Sequence, residues 1–422
     1  MPPFPLRVAI IGAGPAGLSA AINLQKLPFV SLHIYEQASA LREIGTGLNI
    51  QRNTWRMLDV LGASGNIDPG DIFRAKDGHA VQHRNGRTGE LILSNGQGDT
   101  PPAHLHARAF RSVLQKALLA NVSSSLISLS SRLTSITENP SGSLTLAFSN
   151  GHTTEVDLLI GADGVRSVVR SFAFPDYQLA YIGKTAYRGL IPAEKLLSIP
   201  GFPDAVTFWH GPREWVYTCN LRQGWYELTC MANVPDEGEK RKVSWGEGLS
   251  LEEFRKPWKD FGTLVQEILS HATEIQQFAL FAGQRLEKVV SRGSIALIGD
   301  ASHPLSGAFG AGAGFALEDS YVLAQALSWA HSRGHSISRG LDLYDQVRSP
   351  HYKAMYDILG EFGRSDAEMD RLNLGFDDAV AHGIREKWGT EFAWLYGYDV
   401  QSVWEKAVQE EDSREQKAAA HL

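Results

Sequence analysis

The feature that most constrains this chain is Gly12-Ala13-Gly14-Pro15-Ala16-Gly17, which directly follows the apolar run Leu6–Ile11. That run is short, partly β-branched and bounded by prolines and glycines, so it is predicted to be a buried strand. Residues 15–26 carry Ala, Leu and Ile at helical spacing, stop at Leu27-Pro28, and give way to a second strand at Val30–Tyr35. Strand, glycine turn, helix, strand is a βαβ unit, and it implies a parallel sheet faced by helices. Gly12 permits the tight turn, Gly14 lets a pyrophosphate approach the backbone, and Gly17 lets helix and strand pack closely. The helix start, with Ala16 in its first turn, offers free N–H groups and partial positive charge to phosphates. Glu36 closes the second strand 19 positions after Gly17 (36 − 17), with Gln37 beside it, where a carboxylate takes ribose hydroxyls. An acid there disfavours a 2′-phosphate, so the tightly held nucleotide is expected to be FAD or NAD rather than NADP.

Composition narrows the setting. The 422 residues hold 40 Lys+Arg against 47 Asp+Glu, a net charge of −7, which argues against a nucleic-acid partner. Cys219 and Cys230 are the two cysteines, too few for a disulfide framework or a four-cysteine metal site, and no His/Cys spacing suggests a metal. No apolar run approaches the ~18–20 residues of a membrane span, and the N-terminus does not read as a signal peptide. A cytoplasmic protein, monomeric or homodimeric, is the expectation.

Further along, residues 70–104 are polar, with Asp77-Gly78 and Asn85-Gly86 as hairpin signals. Helical periodicity returns at 110–120, a buried strand follows at 157–160, and 181–235 reads as antiparallel sheet. Another buried strand at 295–298 leads through a glycine-rich loop to a long apolar helix at 314–330, and 340–420 looks helical and more charged. The expected fold class is α/β: a Rossmann-like domain (1–75, 105–180 and 285–340), an inserted β-rich substrate domain (76–104 and 181–284) and a helical C-terminal region (341–422).

Two more strand-to-turn junctions carry acids. Gly161-Ala162-Asp163-Gly164-Val165-Arg166-Ser167 ends one, and Gly299-Asp300-Ala301-Ser302-His303-Pro304 ends the other. In this order and at these distances, the three elements resemble those of the FAD-dependent aromatic hydroxylases, the class A flavoprotein monooxygenases, and in particular the salicylate-hydroxylase-like group. The resemblance spans roughly residues 6–350. It implies FAD on the first loop, a shared FAD and nicotinamide role for the loop of Asp163, and a ribityl contact for Asp300. It also implies a flavin-edge segment at 41–50 with Arg42 and Gly47, and a loop and helix beneath the flavin ring containing Gly310, Gly312 and Ala313. A pyrophosphate-gripping Arg is expected near residue 111. Arg111 fits better than Arg108, because Leu114, Leu118 and Leu119 follow it on one stripe. Gly307 and Phe309 stand where the family usually has Pro and often Gln, which implies a looser loop on the oxygen side of the flavin.

The activity implied is hydroxylation of an electron-rich, phenol- or salicylate-like ring with NADPH or NADH and O2, through a flavin C4a-hydroperoxide. Substrate-facing residues are expected from the β-rich insertion. Arg188 would pair with a phenolate or carboxylate, Tyr217 would orient it, and His210 is a candidate base. The alternatives are a secondary-metabolism enzyme on the same scaffold (oxidative dearomatisation, or epoxidation of an indole or phenolic intermediate) and a flavin reductase or redox binding protein. No Trp-x-Trp-x-Ile-Pro halogenase segment is present.

Overall fold

The computed structural model describes residues 5–41, 47–234, 245–305, 310–389 and 393–420. Arg42, Gly307 and Phe309 lie outside them. Leu6–Ile11 is the centre of a six-stranded sheet, flanked in parallel by Val30–Tyr35 and Leu158–Gly161. Ile295–Leu297 continues the parallel order beyond Leu158–Gly161. Apart from Arg7, Ser31 and His33 these strands are apolar, as a sheet covered on both faces requires. A three-stranded antiparallel meander, Leu133–Glu138, Leu144–Phe148 and Thr153–Val156, precedes the strand at Leu158.

The second large sheet has eight strands, in the order Trp245–Gly248, Gln276–Ala282, Ala180–Pro192, Trp225–Asn233, Trp215–Asn220, Thr207–His210, Val81–Asn85 and Leu91–Asn95. The last two strands form a hairpin, as the dipeptide predicts, with Asn85 ending the first strand and Gly86 opening the connection. One face of this sheet packs Tyr187, Tyr226, Leu228, Cys230, Val216 and Trp209 into a core with the helical segment around Phe254 and Trp258. Residues directly opposite across paired strands share a face. Arg188, Thr229, Tyr217, Phe208 and His83 are such partners in turn and form one cross-strand row on the other face.

Gly312–Ser332 is the buried helix of the Rossmann-like part, packed on Pro15–Leu24. Ile337–Leu372, Phe376–Trp388 and Val400–Ala420 follow, so the helical reading of the C-terminal region holds. Among the described residues, no helix is long and apolar enough to cross a membrane.

Candidate active site

The three motif loops meet at one end of the parallel sheet. Gly12 has φ +104°, and a β-carbon on it would stand 2.4 Å from the Ala162 carbonyl oxygen, so the first loop seats directly on the second. A β-carbon on Gly17 would lie 1.9 Å from the Gly12 oxygen. These are the close approaches that make glycine obligatory. Gly14 differs, because nothing lies within 4 Å of its missing β-carbon and the loop is open there. Gly14 caps the helix without a side-chain bond and Pro15 follows, so the first-turn N–H groups face outward for an anion. The Glu36 carboxylate accepts from Ala13 N–H and Ala38 N–H, each at 2.8 Å. Each oxygen keeps a lone pair for a ribose hydroxyl. Gln37 is exposed beside it.

Asp163 accepts from the Ser167 hydroxyl at 2.5 Å and from Val168 N–H at 2.7 Å, capping the helix Val168–Ala173. Burial raises its carboxyl above the usual range, against the lowering effect of those hydrogen bonds. Sequence reasoning did not single out Arg170 of that helix. It is buried and donates to the Asp300 and Ala301 carbonyls at 3.2 and 2.9 Å, locking the second loop to the third. Gly299, at φ +58°, packs against Ala16, so the third loop also touches the first.

Asp300 closes the buried strand as expected, but its side chain is exposed rather than buried. Its Oδ1 lies 3.5 Å from where a β-carbon on Gly312 would stand, at the start of the long helix. Ala313 follows in the first turn. Gly310, at φ +63°, leaves room for Asn49, whose Nδ2 would stand 1.8 Å from a β-carbon there. The turn is held from below by Asp319, which accepts from Gly299 N–H and His303 Nε2, both at 2.9 Å.

The structure separates the two candidate arginines. Arg108 points into the eight-stranded sheet and forms a buried ion pair with Glu227. Arg111 is exposed at the first position of the helix Arg111–Leu119.

Arg188 and Tyr217 come together on the cross-strand row, two strands apart, which is roughly 10 Å between backbones. Burial lowers the pKa of the Arg188 guanidinium, Glu227 opposes that, and Arg111 and Arg108 add to it. Burial pushes the Tyr217 phenol well up, opposed by Arg108. The Tyr217 hydroxyl is buried without a hydrogen-bond partner among the described residues. Phe208 packs on Tyr217 with ring centroids 4.7 Å apart.

His210 lies in the adjacent row, opposite Trp215, and is taken up by His83 at 2.9 Å. His83 in turn bonds the Asn95 Oδ1 at 2.7 Å. Burial and the neighbouring His83 and Lys387 hold His210 well below its ordinary pKa. It lies on the same face as Tyr217, one row away, with its ring 5.6 Å from that of Phe208, which packs on Tyr217.

Residues 5–185 and 236–358 match the FAD binding domain family, and the chain belongs to that family. A 3-amino-4-hydroxybenzoate 2-monooxygenase of Streptomyces platensis is 28% identical, covering 94% of this chain and 97% of the relative. A salicylate hydroxylase of Pseudomonas putida is 25% identical, covering 94% and 93%. The 6-methylsalicylate 1-monooxygenase of Aspergillus terreus is 27% identical, covering 96% and 92%. In fold, the chain is similar to a salicylate hydroxylase solved with its substrate, at TM-score 0.75, 22% identity and 96% and 98% coverage. This chain is thus an FAD-dependent monooxygenase of the aromatic-hydroxylase kind. The open Gly14 cradle, the pinned Glu36 and the exposed Asp300 fit that cofactor.

Proposed function

We propose that the enzyme uses NADPH or NADH and O2 to hydroxylate a phenol- or salicylate-like aromatic acid on the face that carries Arg188 and Tyr217. The observation that carries this reading is the buried, unpartnered Tyr217 hydroxyl in the same cross-strand row as Arg188. A buried hydroxyl left unbonded costs free energy, and a polar ligand removes that cost. Three kinds of relative that match nearly the whole chain are named for hydroxybenzoates, each of which offers a carboxylate to a guanidinium and a ring hydroxyl to a phenol.

Bound FAD supplies the redox chemistry by which one oxygen atom of O2 reaches an electron-rich ring. The protein's own groups hold and orient. Gly12, Gly14, Ala16 and Gly17 would carry the pyrophosphate on the helix start, with Arg111 gripping it from outside, and Glu36 would take the ribose. Asp300 would take the ribityl hydroxyls, and the helix start at Gly312 and Ala313 would favour negative charge on the ring above it. Arg188, always protonated and able to pair bidentately, would bind the substrate anion. Tyr217 would donate its proton in a hydrogen bond to the ring oxygen and fix the carbon presented to the cofactor. Phe208 would exclude water from one side. His210, bonded to His83, is left out of this set. The buried free cysteines suit work in a reducing cytoplasm.

The test is a screen of hydroxybenzoates and phenols for NAD(P)H oxidation, oxygen uptake and product mass, followed by Arg188→Ala on the best substrate. That variant should lose about tenfold to several hundredfold in kcat/KM, or ~1.4–3.5 kcal/mol, with FAD content unchanged. Wild-type hydroxylation by Arg188→Ala would remove Arg188 from the site.

A further inference from the structure

A cavity of about 130 Å³ lies between the helix Phe376–Trp388, the later part of Ile337–Leu372 and the turn that joins Thr207–His210 to Trp215–Asn220. Trp215, Phe362, Ile384 and Trp388 supply aromatic and aliphatic walls, and His210, 8% exposed, is the buried polar side chain among its lining residues. A cavity of this size suits a single ring, since an engineered void of about 150 Å³ takes up benzene. The charged groups at its rim are already engaged. Lys387 and Lys184 pair with Asp366, and Arg213 donates to the Asp366 carbonyl at 3.0 Å. Those contacts complete the rim without a ligand, so the group that calls for one is the histidine.

Hydrogen bonds behind the wall fix which His210 nitrogen carries the proton. Asn95 Nδ2 donates to the Trp388 carbonyl at 3.3 Å, which turns Asn95 Oδ1 to His83 Nε2 at 2.7 Å. A carbonyl oxygen only accepts, so His83 Nε2 holds the hydrogen and His83 Nδ1, in the neutral ring, is a lone pair. His210 Nε2, 2.9 Å away, must donate to that lone pair. Burial keeps the His210 ring uncharged at neutral pH, so its own Nδ1 is an acceptor on the side of the ring away from His83. Among the described residues no donor reaches this nitrogen. A metal ion would need further ligands, and the described residues hold no group of three that could supply them. A buried acceptor without a donor costs free energy, which a ligand hydroxyl recovers. We propose that this cavity is a second binding site, apart from Arg188 and Tyr217, for one neutral aromatic ring that carries a hydroxyl: the ring lies against the aromatic walls and its O–H donates to His210 Nδ1. Phe208 stands between the two sites, its ring 5.6 Å from His210 and 4.7 Å from Tyr217. The proposal does not depend on the roles given to Arg188 and Tyr217.

Magnetic resonance of the FAD-loaded protein, isotopically labelled at its histidine ring nitrogens and titrated with phenol or anisole near neutral pH, tests this. Phenol should shift the His210 Nδ1 resonance, identified by its loss in His210→Gln, saturably and with a Kd on the order of 0.1–1 mM. Anisole presents the same ring without a donor and should bind at least about tenfold more weakly. Ala379→Phe places a ring in the cavity from the helix and leaves the histidine pair in place, so it should abolish the phenol shift. Tyr217→Phe should leave that shift unchanged. A His210 Nδ1 resonance that phenol does not move overturns the proposal, and so does an equal response to anisole. A phenol response that survives in Ala379→Phe, or that disappears in Tyr217→Phe, overturns it too, because the phenol then sits on the Tyr217 face. If Ala379→Phe does not fold, the comparison of phenol with anisole on the wild type decides. Each failure leaves the hydroxylase reading standing, because turnover on hydroxybenzoates tests that reading separately.

Discussion

Arg348 donates its Nε–H to the Asp319 carboxylate at 2.8 Å, with both side chains wholly buried. Arg348 also pairs with Glu318 at 2.9 Å, and Tyr352 donates to the same Asp319 oxygen at 2.5 Å. Through the other Asp319 oxygen, the contact fixes Gly299 and His303, and so the turn that presents Asp300. Removing Arg348 leaves buried carboxylates uncompensated. Arg348→Met should therefore cost about 3–5 kcal/mol of stability, read by denaturant unfolding, and should weaken FAD retention with it.

The same pair gives a pH dependence. Burial alone would raise the Asp319 carboxyl, but Arg348 and then His303 outweigh it and hold it below the usual range. A carboxyl depressed by folding adds stability above its unfolded value, about 4. That stability is lost as pH falls through the lower folded value. Unfolding free energy measured from neutral pH down into acid should fall less steeply for Asp319→Asn, which starts lower, than for the wild type. Parallel curves would remove Asp319 from the acid response.

Gly12→Ala should fail at the first loop. The new β-carbon would meet the Ala162 oxygen at 2.4 Å, in a backbone conformation at φ +104° that side chains rarely adopt. A loss of about 2–3 kcal/mol and of bound flavin is expected, measured by thermal unfolding and by the flavin released on denaturation. Full flavin content in a stable variant would show that the loop relaxes.

Asp300→Ala should separate binding from folding. The carboxylate is exposed, and Arg170 bonds the backbone of Asp300 rather than its side chain. Apo-protein stability should stay within about 0.5 kcal/mol. FAD affinity should fall by about 1.5–3 kcal/mol, read by titrating the apo-protein.

Tyr217→Phe removes a hydroxyl that has no partner. Stability without ligand should be unchanged or slightly higher, since an unbonded buried polar group is lost. Affinity for the hydroxybenzoate that the screen returns should drop by about 1 kcal/mol or more. A variant that is destabilised but binds normally would place Tyr217 in the core alone.

Burial pushes the Cys219 thiol up to about 12, and burial also raises the Cys230 thiol well above its ordinary value. At pH 8 the Cys219 thiolate fraction is then on the order of 10⁻⁴. Neither cysteine should react with a thiol reagent in the native protein, and both should after unfolding, counted by mass. Rapid native labelling would mean that the sheet opens.

Much of the cofactor side was legible in the sequence, because its determinants are local. Gly12, Gly17 and Glu36 sit within one βαβ unit, where φ, close packing and strand ends follow from chain order. Period-2 alternation likewise puts Trp215 and Tyr217 of one strand on the same face. Arg108 was harder to read, since sequence shows it three positions before Arg111 and nothing more. Its partner did leave a signal: Glu227 is the acid in an otherwise largely apolar strand, Trp225–Asn233, and a buried acid needs a cation. Arg170, Asp319 and Arg348 were not distinguishable as a scaffold for the loops, because their bonds cross between elements far apart in the chain.

The sequence alone determined the parallel sheet, the glycine loop and its ribose acid, because backbone sterics and hydrophobic periodicity act over a few residues. Only the tertiary structure decided which arginine is buried and which is exposed, that His210 is bonded to His83, and that Asp300 faces outward. Those outcomes depend on which distant carboxylate, ring or carbonyl the fold brings within 3–4 Å, a range set by hydrogen-bond and ion-pair geometry and not by chain position.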